Sequence, residues 1–406
     1  MYDWANSAFS TTIMALYFPI FFKDYYSVGV PATDSTFYLG LSNTVAALLI
    51  GLAAPMIGAL ADVGGYKKRF VVFFAFWGAI FASSLGLVSQ GQYLLAAMIY
   101  ALASLFHALS LGPYDSLIVD VSEGEDVDMV SAWGYSLGYL GGGLLVLLNN
   151  AMVMFPEKFG LLNAAEGVKW SFVSVGIWWM IWTAPFIFNV KENKRVRASD
   201  KIGEQIKLSY LRLKETVTHI LGLKSVLMFL LAFFLYNDGL GTVIKMSVDF
   251  GKAINIENKH LIGALTMVQF IGFPMTLVFG KIASRFTPKK AIYGGLVIYS
   301  FVVIWAYFMN SVWEFYLMAF FIGAAQGGVQ SVSRSLYSRL IPKERSGEFF
   351  GFFNLLGKFI GLLGPLMVGI TAKVTENPRI GILSILSLFV AGAMVLMKVE
   401  QPTKGD

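Results

Sequence analysis

The segment Gly58–Phe70, GALADVGGYKKRF, ends one long apolar run and starts another. Phe37 to Ala61 before it and Phe70 to Val88 after it carry no charge. At a helical rise of about 1.5 Å per residue, each is long enough to cross a bilayer. The segment therefore reads as a hinge between two membrane spans. Gly58, Gly64 and Gly65 permit close helix approach and a tight turn. Asp62 can accept hydrogen bonds from helix-terminal amides, and the cations Lys67, Lys68 and Arg69 should stay on the cytoplasmic side.

This spacing resembles the loop signature of the major facilitator superfamily, Gly-x-Leu-small-Asp-x-x-Gly followed by basic residues. Gly58, Leu60, Ala61, Asp62, Gly65 and Lys67 fit it, while Val63 and Tyr66 stand where basic residues are common. A degenerate copy, GKIASRFTPKK, runs from Gly280 to Lys290, 222 residues downstream. There Ser284 replaces the Asp and Thr287 the second Gly, while Arg285, Lys289 and Lys290 keep the basic character. Two copies in two halves suggest an internal duplication. Together they nominate Gly58, Asp62, Gly65, Lys67, Lys68, Arg285 and Lys289 as gating-loop residues.

Composition sets the class independently. The 406 residues are 56% hydrophobic and 14% charged, with a mean hydropathy of +0.66, against roughly 25% charged in an ordinary soluble domain. Such a chain cannot hide its apolar surface from water, and its length allows about twelve spans of about 20 residues. There is no cleavable signal pattern. With no cysteine, disulfide and thiolate chemistry are excluded. The net charge of +6 follows from loop placement and calls for no nucleic-acid partner.

Six spans are expected near Asp3–Phe22, Phe37–Ala61, Phe70–Val88, Tyr93–Leu117, Met129–Met154 and Val168–Val190. Six more fall near Ser225–Val248, Leu261–Ser284, Ala291–Met309, Val312–Tyr337, Phe349–Lys373 and Ile380–Lys398. The fold class is thus an all-α integral membrane protein of about twelve helices in two six-helix bundles. Residues 1–190 form the first bundle, 191–224 a cytoplasmic linker, and 225–406 the second bundle. Nine Lys and Arg lie between Lys191 and Lys224, and Arg339, Lys343 and Arg345 join the two loop motifs on the same side. The opposite loops hold few, so both termini and the linker are expected in the cytoplasm, with the chain in the cell membrane. One loop on the basic side is acidic, with Asp120, Glu123, Glu125, Asp126 and Asp128, but acids count little in this rule.

The linker, with Lys194, Arg195, Arg197 and Lys201 among its cations, reads either as an anionic-lipid or partner helix or as a solvated tether at the headgroups. Trp170, Trp178, Trp179 and Trp182 read as interfacial anchors and packing. GYSLGYLGGG, from Gly134 to Gly143, presents a small-residue face for close helix packing.

Four stretches resemble the vacuole-effluxer family within that superfamily: YDWANSAF at Tyr2–Phe9, GYSLGYLGG at Gly134–Gly142, LYNDG at Leu235–Gly239, and the long GGVQSVSRSLYSRLIPKERSGEFFGFFN at Gly327–Asn354. The resemblance covers nearly the whole chain. It implies a twelve-helix secondary transporter, with amino-acid efflux the activity attached to its fungal branch. The family places residues ahead of YDWANSAF, so with Met1 here the first helix is either short or lacks its start.

Polar residues deep in the spans are the candidates for transport, because a buried charge normally faces a partner or a wet cavity. Lys358 lies about 15 Å into its span, with Asn354 one turn before it and Gly361 one turn after. It reads as a cavity-facing cation or as half of an interhelical pair. On the seventh span Asp238, Thr242, Lys245 and Asp249 form one stripe. Asp238 either loads and releases a proton or caps a helix broken around Gly239 and Gly241. Gln326 and Gln330 on the tenth span could hydrogen-bond a solute, whereas Arg334, near that span's end, reads as snorkelling. Asn6 and Ser10 on the first span and His107, Ser110 and Tyr114 on the fourth are the matching polar faces. His107 is either a packing histidine or part of a proton relay. The superfamily lines its cavity with spans one, four, seven and ten.

The substrate-binding candidates are thus Lys358, Asn354, Gln326, Gln330, Asp238, Asn6 and Tyr114, with Asp238 and His107 for proton coupling. With three His, no Cys, no HExxH and no phosphate loop, no metal, cofactor or catalytic site is expected. Energy would come from a gradient. The function expected is a monomeric carrier of a small polar solute, an amino acid first. Peptide, sugar or drug carriage, or a non-transporting receptor or assembly protein, are the alternatives.

Overall fold

A computed structural model describes residues 1–122, 126–191, 202–253, 256–359 and 363–400. Among them there is no strand. That follows from the solvent: hydrocarbon offers no partner to a backbone N–H or C=O, so each span must satisfy its own. Glu123, Glu125, Lys194, Arg195, Arg197, Lys201 and Gly361 lie outside the described residues, as do the side chains of Asp249 and Lys358.

Eleven of the described helices are long and apolar enough to cross a membrane. The first half comprises α1 (Tyr2–Tyr26), α2 (Ala32–Gly64), α3 (Lys67–Leu87), α4 (Tyr93–Val121), α5 (Asp126–Met154) and α6 (Ala164–Asn189). Helix α7 (Ile202–Gly222) lies in the connecting stretch. The second half holds α8 (Lys224–Ala253), α9 (Asn258–Arg285), α10 (Pro288–Phe308), α11 (Val312–Leu340) and α14 (Arg379–Met397). Between α11 and α14, α12 (Ser346–Phe359) and α13 (Leu363–Thr375) occupy the stretch read as one span, on either side of the undescribed residues 360–362.

Two large apolar clusters carry the packing, one built mainly from α1 and α3–α6, the other from the second half plus Ile118 and Val127. Large side chains fill both, such as Trp179 in the first and Tyr299 in the second, each with no exposed surface. The 33 residues of α2 amount to about 50 Å of helix, more than the roughly 30 Å hydrocarbon layer. Its end, with Asp62, therefore stands at the membrane edge. There Gly65 takes a left-handed conformation, φ 64°, that closes the helix and lets α3 start at Lys67.

Helix α7 departs from the tether expected of the linker. Its Thr216 hydroxyl donates to the buried carboxylate of Glu348, and Arg345 pairs with its Glu215 at 2.7 Å. The Gln205 amide reaches the Tyr66 hydroxyl at 3.4 Å. The side it turns to the protein carries the buried Gln205, Ser209 and Thr216, while Ile206, Tyr210 and Leu211 stay exposed.

The glycine face of α5 receives α1. A Cβ at Gly138 would lie 2.6 Å from the Ser7 hydroxyl oxygen, and one at Gly141 2.7 Å from the Trp4 ring. Helix α1 itself is π-helical over Phe9–Tyr17, a widened turn often found at functional sites.

Candidate functional site

The helix ends carrying Lys67, Lys68, Arg69, Arg339 and Arg345 form one basic end of the molecule, and there the two halves are pinned together. Helices α2 and α12 touch backbone to backbone. A Cβ on Gly347 would stand 2.6 Å from the Gly58 carbonyl oxygen, and one on Gly351 2.8 Å from that of Ala54. Asp62 accepts the Glu348 N–H at 2.9 Å. Lys67, 1% exposed, donates to Asp120 at 2.8 Å and to the Ser346 hydroxyl at 2.9 Å, and lies 3.6 Å from Asp62. Lys68 donates to the Val190 carbonyl at 2.7 Å, tying α3 to the end of α6.

A second seam joins α5 to α9 and α11. Asp128, fully buried, accepts from Ser335 at 2.6 Å and from Arg339 at 2.7 Å. Gly280 packs against Ala132. The basic residues of the degenerate motif copy point elsewhere: Lys289 donates to the carbonyls of Met397 and Val399, and Arg285 lies over the Phe286 ring.

Above this end lies a central cavity of about 510 Å³ between the halves. Asn6, His107, Gln326, Gln330 and Asn354 line it, and so do Ser10, Asn237 and Gln269. Met14, Leu111, Phe233 and Met318 supply an apolar wall. The lining climbs to Leu261 and Phe315, near the far ends of α9 and α11.

Its floor is charged. Arg334, 3% exposed, donates to Asp115 at 3.0 Å and to the hydroxyl and carbonyl oxygens of Ser131 at 2.9 and 3.1 Å, with Asp3 at 3.6 Å. Its guanidinium also lies over the Tyr135 ring, 4.5 Å from the centroid. Asn354 donates to the other oxygen of Asp115 at 3.3 Å, and the Tyr114 hydroxyl donates to Asp3 at 2.6 Å. Arg334 is thus no snorkelling residue. Its place near a helix end is also the plane where five helices converge, so its charge is met by carboxylates rather than water.

Two nominated residues lie off the cavity wall. Asp238 has no exposed surface, and its carboxylate accepts the Gly364 N–H at 2.6 Å near the start of α13. Tyr114 faces a smaller cavity of about 300 Å³ on the basic side of the floor. Lys358 falls on α12 one turn beyond Asn354, with its side chain outside the described residues. His107 stacks near Phe9 and sits 3.4 Å from the Ser10 hydroxyl.

Residues 25–405 match the family described as "Vacuole effluxer Atg22 like". The chain belongs to that family. Its Atg22-like relatives include the uncharacterized MFS-type transporter YxiO of Bacillus subtilis, 33% identical over 408 residues, covering all of this chain and 95% of YxiO. Autophagy-related protein 22 of Saccharomyces cerevisiae is 26% identical over 375 residues, 80% of this chain and 70% of the yeast protein. Among solved structures, the proton:xylose symporter XylE superposes with a TM-score of 0.73 at 14% identity, covering 98% of this chain and 93% of that one. The human organic anion transporter MFSD10 does so with a TM-score of 0.70 at 12% identity, over 97% of each chain. Membership in the Atg22-like family, together with this fold, makes the protein a multi-pass MFS-type transporter and not an enzyme.

Proposed function

We propose that the protein is a secondary active carrier in the cell membrane that exports a small zwitterionic solute, an amino acid in the first instance, by alternating access coupled to an ion gradient. The observation that carries this reading is the charged cavity floor. Arg334 offers a cation suited to a carboxylate, and Asp3 and Asp115 offer anions suited to an ammonium, beneath a polar belt of Asn6, Gln326, Gln330 and Asn354. A cavity of about 510 Å³ holds such a solute with water around it. The words "vacuole effluxer" in the family's description support export.

The cationic loop ends support a cytoplasmic position for the basic end and both termini. Since that end is pinned shut, the cavity is the outward-directed form of the cycle, and the halves rock about its floor.

The test is a thermal-shift screen of amino acids, peptides and sugars on purified wild type, followed by counterflow of any hit in liposomes. A ligand at about 100 times its Kd adds about 2.7 kcal/mol of stability. An amino acid should stabilise wild type, and Gln330→Ala and Lys358→Ala should weaken that effect. Stabilisation by sugars or peptides alone would transfer the reading to those solutes. Binding without counterflow would point to a receptor.

A further inference from the structure

The floor of the cavity holds one charge too many. Two carboxylates face one guanidinium: Asp115 at 3.0 Å and Asp3 at 3.6 Å from Arg334. All three side chains are nearly buried, with 8%, 11% and 4% of their surface exposed. The polar side chains around them are neutral: Tyr2 on α1, Tyr114 on α4, Tyr135 on α5, and Ser131 and Asn354, which give and take hydrogen bonds, while Met1 with its α-amino group lines the smaller cavity. Lys358 follows Asn354 by one turn on α12, with its side chain outside the described residues. An uncompensated buried anion is costly enough that such a site binds a proton or another cation.

The cluster also has two faces. Asp115 and Arg334 line the central cavity from below, and the same two residues line the 300 Å³ cavity on the basic side together with Tyr2, Tyr114 and Phe186. The charged layer is therefore a septum between two spaces large enough to hold water, one on each side of the pinned floor. A coupling site needs that placement, because its ion must be exchangeable with each side in turn.

We propose that the Asp3–Asp115 pair is the proton-coupling site of the carrier, holding one exchangeable proton between two carboxylates that share Arg334. This rests on the transport reading above and replaces Asp238 in that role, since the Asp238 carboxylate is committed to the Gly364 N–H. The step is simple to balance. A hydronium ion in the central cavity gives its proton to a carboxylate oxygen of the pair, which takes the cluster from net negative to neutral. Release passes the proton to water in the smaller cavity, and no other bond changes. With two acids this close, the proton belongs to the pair and not to either residue. A solute ammonium meets the same surplus charge, so proton and solute compete, which is the condition for exchange of one against the other.

The experiment uses proteoliposomes on a solid-supported membrane and a pH jump as the only stimulus. It needs no solute, so its outcome is separable from that of the ligand screen. Wild type should give a transient charge displacement. Asp3→Asn and Asp115→Asn should each lower it at least tenfold, because either change leaves one carboxylate for one guanidinium. Asp238→Asn should retain it. Size-exclusion profiles verify folding, and either Asn variant alone suffices if the other misfolds. No displacement in wild type, survival in both Asn variants, or its loss in Asp238→Asn would each overturn the assignment.

Discussion

The loop from Gly58 to Phe70 and its copy from Gly280 to Lys290 share a pattern but do different jobs. The first copy reaches across the molecule: Asp62 holds the Glu348 N–H and Lys67 holds Ser346, both in the opposite half. Lys289 of the second copy reaches within its own half, where it grips the carbonyls of Met397 and Val399 at the end of α14. Its seam with the first half is fastened instead by Asp128 of α5 with Ser335 and Arg339 of α11. The turns differ accordingly. Gly65 closes one in the left-handed region, while Thr287 caps the start of α10 by accepting the Lys290 N–H at 3.2 Å. A duplicated sequence can keep its charges and lose its partners, because charge is local and a partner belongs to the whole fold.

The largest effect should come from removing each seam's acid. Asp62→Ala takes a carboxylate from Lys67, 1% exposed, and the acceptor from the Glu348 N–H, and about 3 kcal/mol should be lost. That is the low end for a buried charge deprived of a partner, since Asp120 remains at 2.8 Å. Asp128→Ala should lose less, because Arg339 has a 25% exposed side chain and can turn to water. Thermal unfolding in detergent ranks the two. A larger loss for Asp128→Ala would mean that the second seam is the stronger lock. The chain lacks cysteine, so a single Asn354→Cys gives a clean reporter of access. Asp62→Ala should raise its labelling by a membrane-impermeant maleimide added from the basic side.

Next come the glycine contacts, and here rescue sharpens the contrast. Gly58→Ala drives a methyl into the Gly347 carbonyl, and overpacking against backbone costs about 1–3 kcal/mol. No side-chain truncation can relieve it. Gly280→Ala meets the Ala132 methyl, so the double variant with Ala132→Gly should return to within about 0.5 kcal/mol of wild type. Failure of that rescue would show that α5 and α9 are held apart by more than those two methyls.

The fold was legible because burial in lipid imposes long uncharged runs, and the charge asymmetry at their ends named the basic side. The Asp62 and Lys67 pair stood out by spacing, but Ser346, 279 positions from Lys67, carries no mark of being its partner. Asn6, Gln326, Gln330 and Asn354 were visible as polar residues on apolar faces, and the structure brings them to one cavity wall. Asp3 and Asp115 draw no notice and Arg334 reads as snorkelling, because each lies near the end of its span, where charges are ordinary. The available signal was that Asp3 and Asp115 have no basic residue within a turn of them, so their counter-charge had to come from another helix. Asp238 drew notice as the deepest acid, yet a carboxylate can equally well serve a backbone amide, as it does for Gly364. Sequence depth alone does not separate those uses.

The smallest effect isolates the copy's own cations. Lys289 makes two hydrogen bonds to carbonyls that close α14, at 3.2 and 2.8 Å, and stands partly in water. It competes with solvent for those bonds. Lys289→Ala should therefore lower stability by no more than about 1 kcal/mol, the net worth of such a hydrogen bond. Maleimide access at Asn354→Cys should stay unchanged, because nothing Lys289 touches lies between the halves. If access from the basic side rose as it should in Asp62→Ala, the second loop would be a gate after all, and the two copies would differ in strength rather than in kind.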